Sequence, residues 1–169
     1  MIEGYYKGLS GIYFNRAIDS IITIGNLKGT SKIILDFGCG LGVLKKKLKS
    51  KSNIVNYDKN KKFSEINNWK NVKFDIFVSN QVFYQFSEKK LETIIKEIKK
   101  KNSKTLFIVG ISKRSLLNKI GKFLLFKFNA HKNTILTYEK ELFILMKHLK
   151  IIKKKNIFFL SDIFLMKFK

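Results

Sequence analysis

Residues 34–42 read ILDFGCGLG, and no other stretch narrows the fold as much. The apolar run Ile33-Ile34-Leu35 is short, continuous and β-branched, the pattern of a strand buried on both faces of a parallel sheet. Downstream, Leu41, Leu44 and Leu48 share one helical face while Lys45, Lys46 and Lys47 turn mostly toward water, which predicts a helix over 41–48. The glycines between them therefore form a strand-to-helix turn. Glycine tolerates positive φ there and leaves no Cβ between the main chain and a ligand. The spacing is Gly38-x-Gly40-x-Gly42, and position 43, where the dinucleotide fingerprint needs another glycine, is Val43. The pattern thus argues against a nicotinamide cofactor.

A second apolar run, Ile54-Val55-Asn56-Tyr57, ends in Asp58, twenty-two residues beyond Asp36. An acid at that place can accept hydrogen bonds from both hydroxyls of a ribose. It can equally open the turn Asp58-Lys59-Asn60-Lys61-Lys62. Taken together, Asp36-Phe37-Gly38-Cys39-Gly40-Leu41-Gly42 and its strand resemble motif I of the class I S-adenosylmethionine-dependent methyltransferases. The resemblance implies S-adenosylmethionine as cofactor, with Asp36, Gly38, Cys39 and Gly40 in the turn under its methionine and ribose parts and Asp58 as the ribose ligand.

Further segments fall in the order that this family shows. Phe74 to Phe86 resembles its fourth strand and following loop, whose carboxyl end faces the transferred methyl group. The resemblance places Asn80 and Gln81 at the cofactor and Tyr84 near the chemistry. Gln85 stands where many relatives carry a histidine, and Phe83 and Phe86 read as core. Leu91, Ile94, Ile95 and Ile98 repeat at helical spacing after a Ser87 cap with Glu88 in the first turn. Thr105 to Gly110 reads as another buried strand. Thr137 caps a helix with Glu139 and Glu141 in its first turn and Leu142, Leu145, Met146 and Leu149 inward. Ile151–Leu160 and Ile163–Phe168 read as a closing hairpin with Ser161-Asp162 at its turn.

The expected fold is therefore α/β, Rossmann-like and doubly wound, with a mainly parallel sheet and a C-terminal antiparallel hairpin. Residues 1–169 are expected to form a single methyltransferase domain, with 1–30 a cap segment and 111–136 an insertion on the substrate side. Only sixteen residues separate Asp58 from Asp75, too few for a full helix, strand and helix. The third-strand region is predicted to be reduced, with Phe63 to Trp69 as a short substitute. Trp69 is either core or an adenine contact.

The formal charge of +23 raises the question of nucleic acid or an anionic surface. The excess is nearly all lysine, since Arg16 and Arg114 are the only arginines, and a base reader favours arginine for bidentate contacts. Proline is absent and Asn, Ile and Phe are abundant, as in a chain shaped by AT-rich codons. Codon bias is the first reading of the charge and nucleic-acid contact the second. Cys39 is the sole cysteine, so no disulfide can form within the chain. Cys39, His131 and His148 lack metal-ligand spacing, and no metal is expected. No apolar run reaches the length of a membrane helix, and a cytoplasmic protein is the default expectation.

Two flanking segments bear on the acceptor side. Tyr5, Tyr6 and Tyr13 precede a helix whose Phe14, Ala17, Ile18, Ile21 and Ile22 face inward; by resemblance these tyrosines contact cofactor or substrate, and otherwise they sit on the surface. Ser115 to Phe128 has an apolar arc wider than one buried face, with Lys119, Lys122 and Lys127 around it. It suits a lid, and secondarily a peripheral membrane contact or a pocket for a lipid-linked substrate. By resemblance to methyltransferases that carry a histidine before such a helix start, His131, ahead of Tyr138-Glu139-Lys140-Glu141-Leu142, is the candidate base beside Tyr84. Methyl transfer from a sulfonium is an in-line displacement that needs a base only when the acceptor must lose a proton. The loop Ser79-Asn80-Gln81-Val82 departs from the Asn-Pro-Pro-Tyr type used on nucleic-acid amino groups, and Cys39 lies in the cofactor turn. Oxygen or carbon methylation of a small molecule, glycan or lipid precursor is the expectation. A non-catalytic S-adenosylmethionine-binding domain and an RNA-directed methyltransferase are the alternatives.

Overall fold

Every residue of Ile34–Phe37 is buried, as in a central strand covered on both faces. In the computed structural model, which describes residues 8–48, 53–113 and 135–169, this strand is β1. It follows helix α1 (Gly8–Ile24) and precedes α2 (Val43–Leu48), β2 (Ile54–Tyr57), β3 (Ile76–Asn80), α3 (Glu88–Lys101), β4 (Leu106–Ser112), α4 (Tyr138–His148), β5 (Leu149–Ile157) and β6 (Ser161–Phe168). The sheet order is β2-β1-β3-β4-β6-β5. The first four of these are parallel neighbours, while β6 runs antiparallel to both β4 and β5. This is the doubly wound, mainly parallel sheet with a C-terminal antiparallel hairpin that the alternation of patterns predicts.

Alternate residues of the strands feed two cores. Leu35, Phe37, Phe77, Phe107 and Val109 pack with Leu91, Ile94, Ile95 and Ile98 of α3 and Ile144 and Leu145 of α4. Ile34, Ile54, Ile76, Val78 and Ile108 pack with Ile18, Ile21 and Ile22 of α1 and Leu44 and Leu48 of α2. Ser87 and Thr137 cap α3 and α4 by accepting from the N–H groups of Lys90 and Lys140. Between β2 and β3 the chain makes a single 3₁₀ turn at Trp69–Asn71 and no strand, so β2 is a sheet edge. The sheet order reverses between β1 and β3, and a crevice opens at their carboxyl ends.

Four local expectations are corrected. α2 starts at Val43, because Gly40-Leu41-Gly42 is still in the turn. Met146 is exposed, and Leu149, although buried, has left α4 and begins β5. α1 begins at Gly8, so Tyr13 lies within that helix and not ahead of it. The hairpin turn is formed by Phe158-Phe159-Leu160, with Ile157 paired to Ser161. Ser161-Asp162 has turn-like chemistry, but both residues are fully buried in β6. Asp162 is engaged from several elements: Tyr138 Oη donates to it at 2.6 Å, Asn156 Nδ2 at 2.8 Å, and the Lys113 and Lys154 ammonium groups lie at 3.0 and 3.1 Å. Burial alone would raise its pKa, yet these donors together hold it below the usual carboxylate range. The carboxylate thereby fastens the hairpin to α4 and to the end of β4. Among the described residues, no helix is long and apolar enough to cross a membrane.

Candidate functional site

The glycine turn is built by two demands that differ along it. Gly38 has φ +79°, and a Cβ there would stand 2.3 Å from Val82 Cγ2, so the residue is fixed by both backbone and packing. Gly40 has φ +51°, but nothing lies within 4 Å of where its Cβ would be. That open space belongs to a cleft of about 590 Å³ at the carboxyl edge of the sheet. The N–H groups of Gly38 and Cys39 both donate to the carbonyl of Tyr57, at 2.7 and 3.1 Å, and tie the turn to the end of β2.

Asp58 follows directly. One carboxylate oxygen accepts from the Gly40 N–H at 3.0 Å and the other from the Asn60 N–H at 2.8 Å. The side chain is thus held along the cleft wall, and each oxygen keeps acceptor capacity for a ligand hydroxyl. Both residue-level readings of Asp58 meet here, since it opens a turn and also lines the cleft. Asp36 lies beneath the turn, 6% exposed, and does not line the cleft. Burial, and secondarily the nearby Asp58 carboxylate, push its pKa up to about 7. Cys39 is also buried; its Sγ donates to the Phe63 carbonyl at 3.3 Å. Burial and then the neighbouring acids Asp36 and Asp58 push the thiol up to about 12, which makes it a poor nucleophile. No group of residues suited to hold a metal occurs among the described ones.

The opposite wall comes from the end of β3. Asn80, Gln81 and Tyr84 all line the cleft, as do Phe37, Tyr57, Trp69 and Phe86. Trp69 is 5% exposed and packs edge-on to Phe37, so it serves core and cleft together. Phe83, by contrast, is core alone. The Asn80 side chain rests on Gly110 of β4, where a Cβ would meet its Oδ1 at 2.2 Å; that oxygen is buried with no hydrogen-bond partner. Gln81 adopts φ +57° and donates from Nε2 to Tyr13 Oη at 2.6 Å, linking α1 to the cleft wall. Gln85 Nε2 donates to Tyr84 Oη at 3.1 Å, and the Tyr84 carbonyl receives the N–H groups of Ile135 and Leu136.

Six of the nominated residues therefore meet at one cleft, namely Gly38, Gly40, Asp58, Asn80, Gln81 and Tyr84. His131, Tyr5, Tyr6 and the segment Ser115–Phe128 lie outside the described residues. Sequence reasoning missed Gly110 and Val82. Gly110 offered a signal, since an interior strand glycine often marks a close approach; Val82 offered none.

Comparison with solved structures matches this architecture. The cyanobacterial magnesium protoporphyrin IX methyltransferase ChlM from Synechocystis PCC 6803, solved with bound SAH, superposes with a TM-score of 0.66 at 15% identity, covering 99% of this chain and 91% of that one. A putative type 11 methyltransferase from Sulfolobus solfataricus gives 0.65 at 14% identity, covering 86% and 88%. The pyocyanin biosynthetic protein PhzM gives 0.69 at 12% identity, covering 92% of this chain and 55% of that one. This chain has the class I methyltransferase fold. No family model matches its sequence, and no curated protein does either. The methyltransferase fold here keeps the glycine turn and the acid after the second strand while lacking a strand beyond β2 among the described residues.

Proposed function

We propose that this protein is an S-adenosylmethionine-dependent methyltransferase acting on a small-molecule acceptor. One observation carries the reading: the open φ-positive Gly40 and the Asp58 carboxylate that its N–H holds face Asn80 and Gln81 across a single cleft. The residues fit the cofactor. Gly38 and Gly40 provide bare main chain for its methionine and ribose part, and Asp58 provides acceptors for the ribose hydroxyls. Trp69 and Phe86 give the cleft flat apolar walls suited to a purine. The bound cofactor would supply an electrophilic methyl group. The chain's own work is to bind, orient and exclude water, with Asn80 and Gln81 set at the end of β3. Tyr84, whose Oη accepts from Gln85, is the first candidate to act on an acceptor proton. His131 is retained as the second candidate base. The solved neighbours include the mitomycin 7-O-methyltransferase MmcR and the dimethyltransferase RosA, both of which act on small molecules. A cytoplasmic setting agrees with the sole, buried cysteine.

Calorimetric titration of S-adenosylmethionine and its demethylated product into the wild type and Asp58→Ala tests the reading. Binding to the wild type that weakens at least about tenfold in the variant is expected, since hydrogen bonds to a charged acceptor contribute about 1.5–3 kcal/mol. Absence of wild-type binding would overturn the cofactor assignment.

A further inference from the structure

Phe158 and Phe159, at the tip of the β5–β6 turn, are 55% and 73% exposed, and both hold left-handed backbone with φ of 48° and 58°. Two aromatic side chains kept in water, in a conformation that side chains disfavour, contribute to neither core. Phe158 closes a groove whose other wall is α1, with Ile12, Arg16 and Asp19 facing it, the last paired with the Lys47 ammonium at 2.7 Å. Ile12 is 60% exposed, and Leu9, one helical turn before it, 66%. On the neighbouring strand Lys153 pairs with Leu165 and Lys155 with Ile163, both of which pack on the α1 side, so these lysines share that face.

We propose that this corner docks on an anionic lipid surface, with Ile12, Phe158 and Phe159 at the acyl boundary and Arg16, Lys153 and Lys155 against the headgroups. Charge complementarity selects the occupant. A second copy of a +23 chain is repelled, whereas an anionic headgroup layer attracts it. Phe158 and Phe159 alone would suit a nucleobase as well as a bilayer, but the exposed Leu9 and Ile12 of α1 are aliphatic, with no stacking plane, and insert at a bilayer interface. The tip also lies on the cleft's edge of the sheet, because Ser161 pairs with Ser112 at the carboxyl end of β4. α1 spans the two places: Ile12 faces outward and Phe14 lines the cleft. Docking here brings the cleft mouth to the membrane surface, and it is independent of which ligand the cleft takes.

Vesicle flotation tests the proposal with the full chain, phosphatidylcholine vesicles, and vesicles of equal parts phosphatidylcholine and phosphatidylglycerol. Phe158→Asn combined with Phe159→Gly removes the rings while installing residues that accept positive φ, so the turn is kept. The wild type is expected to float with the mixed vesicles and not with phosphatidylcholine alone. The double variant should partition about tenfold more weakly or worse, with an unfolding midpoint no lower than wild type. Ile12→Asn, on the other element, should weaken flotation in the same direction. Undiminished flotation of these variants would show that net charge alone holds the protein and would overturn the site, as would failure of the wild type to float with either vesicle.

Discussion

Single residues in the glycine turn separate strain from binding. Gly38→Ala must place a methyl against Val82 at a positive φ, so it should lose stability by more than the roughly 1–2 kcal/mol of a left-handed alanine, and Val82→Ala should recover part of that loss. Gly40→Ala meets no atom and should cost only the backbone term while obstructing the cleft. Denaturant unfolding paired with cofactor titration distinguishes the two. Asp36 makes the opposite kind of prediction. Its folded pKa, near 7, exceeds the ordinary 3.8, so the native state holds a proton that the unfolded chain releases. Its contribution to stability is complete below about pH 4 and is lost as pH rises toward 7, at up to about 1.4 kcal/mol per pH unit. Asp36→Asn should therefore unfold at a higher temperature than wild type at pH 8, with the gap closing toward pH 4. At this scale the sequence was informative where chemistry is local: Gly38, Gly40 and Asp58 are named there and all line the cleft, whereas Asp36 lies beneath it. Gly110, an interior strand glycine, signals a close approach, but its partner Asn80 could not be named, because two residues thirty positions apart meet only through the β3–β4 register.

Among the elements, helices α3 and α4 were readable to the cap, since periodicity and a hydroxyl cap agree there. The hairpin was readable in existence and wrong in its turn. Local preference put Ser161-Asp162 at the bend, but the Asp162 carboxylate is worth more inside, where Tyr138, Asn156, Lys113 and Lys154 converge on it. The turn is left to two phenylalanines at positive φ, which no propensity would select. Asp162→Ala strands those donors around an empty place and should destabilise the protein by about 3–5 kcal/mol, whereas Asp162→Asn, which keeps part of the hydrogen bonding, should cost less. Thermal unfolding of both variants checks the order. Phe158→Asn with Phe159→Gly should raise the midpoint by relieving roughly 1 kcal/mol at each position.

Across the whole molecule, the sequence carries thirty-five basic and twelve acidic side chains. Several lysines are paired, among them Lys45 with Glu65 and Lys70 with Glu97, but the acids run out first. Self-repulsion should dominate the salt response: the unfolding midpoint should rise from low to physiological ionic strength, where the screening length falls to about 8 Å. A falling midpoint would mean that the ion pairs outweigh the repulsion. The missing strand beyond β2 was legible from the short Asp58–Asp75 interval, because chain length limits what a connection can contain. The sheet order has a consequence for synthesis on the ribosome. β4, the apolar run LFIVGIS, pairs on one side with β3 and on the other with β6, which is made after every other strand described here. Until residues 161–168 emerge, a growing chain carries that strand with one side open, so the sheet closes only after translation of β6, and a ribosome stalled in the preceding turn would display a sticky half-finished product.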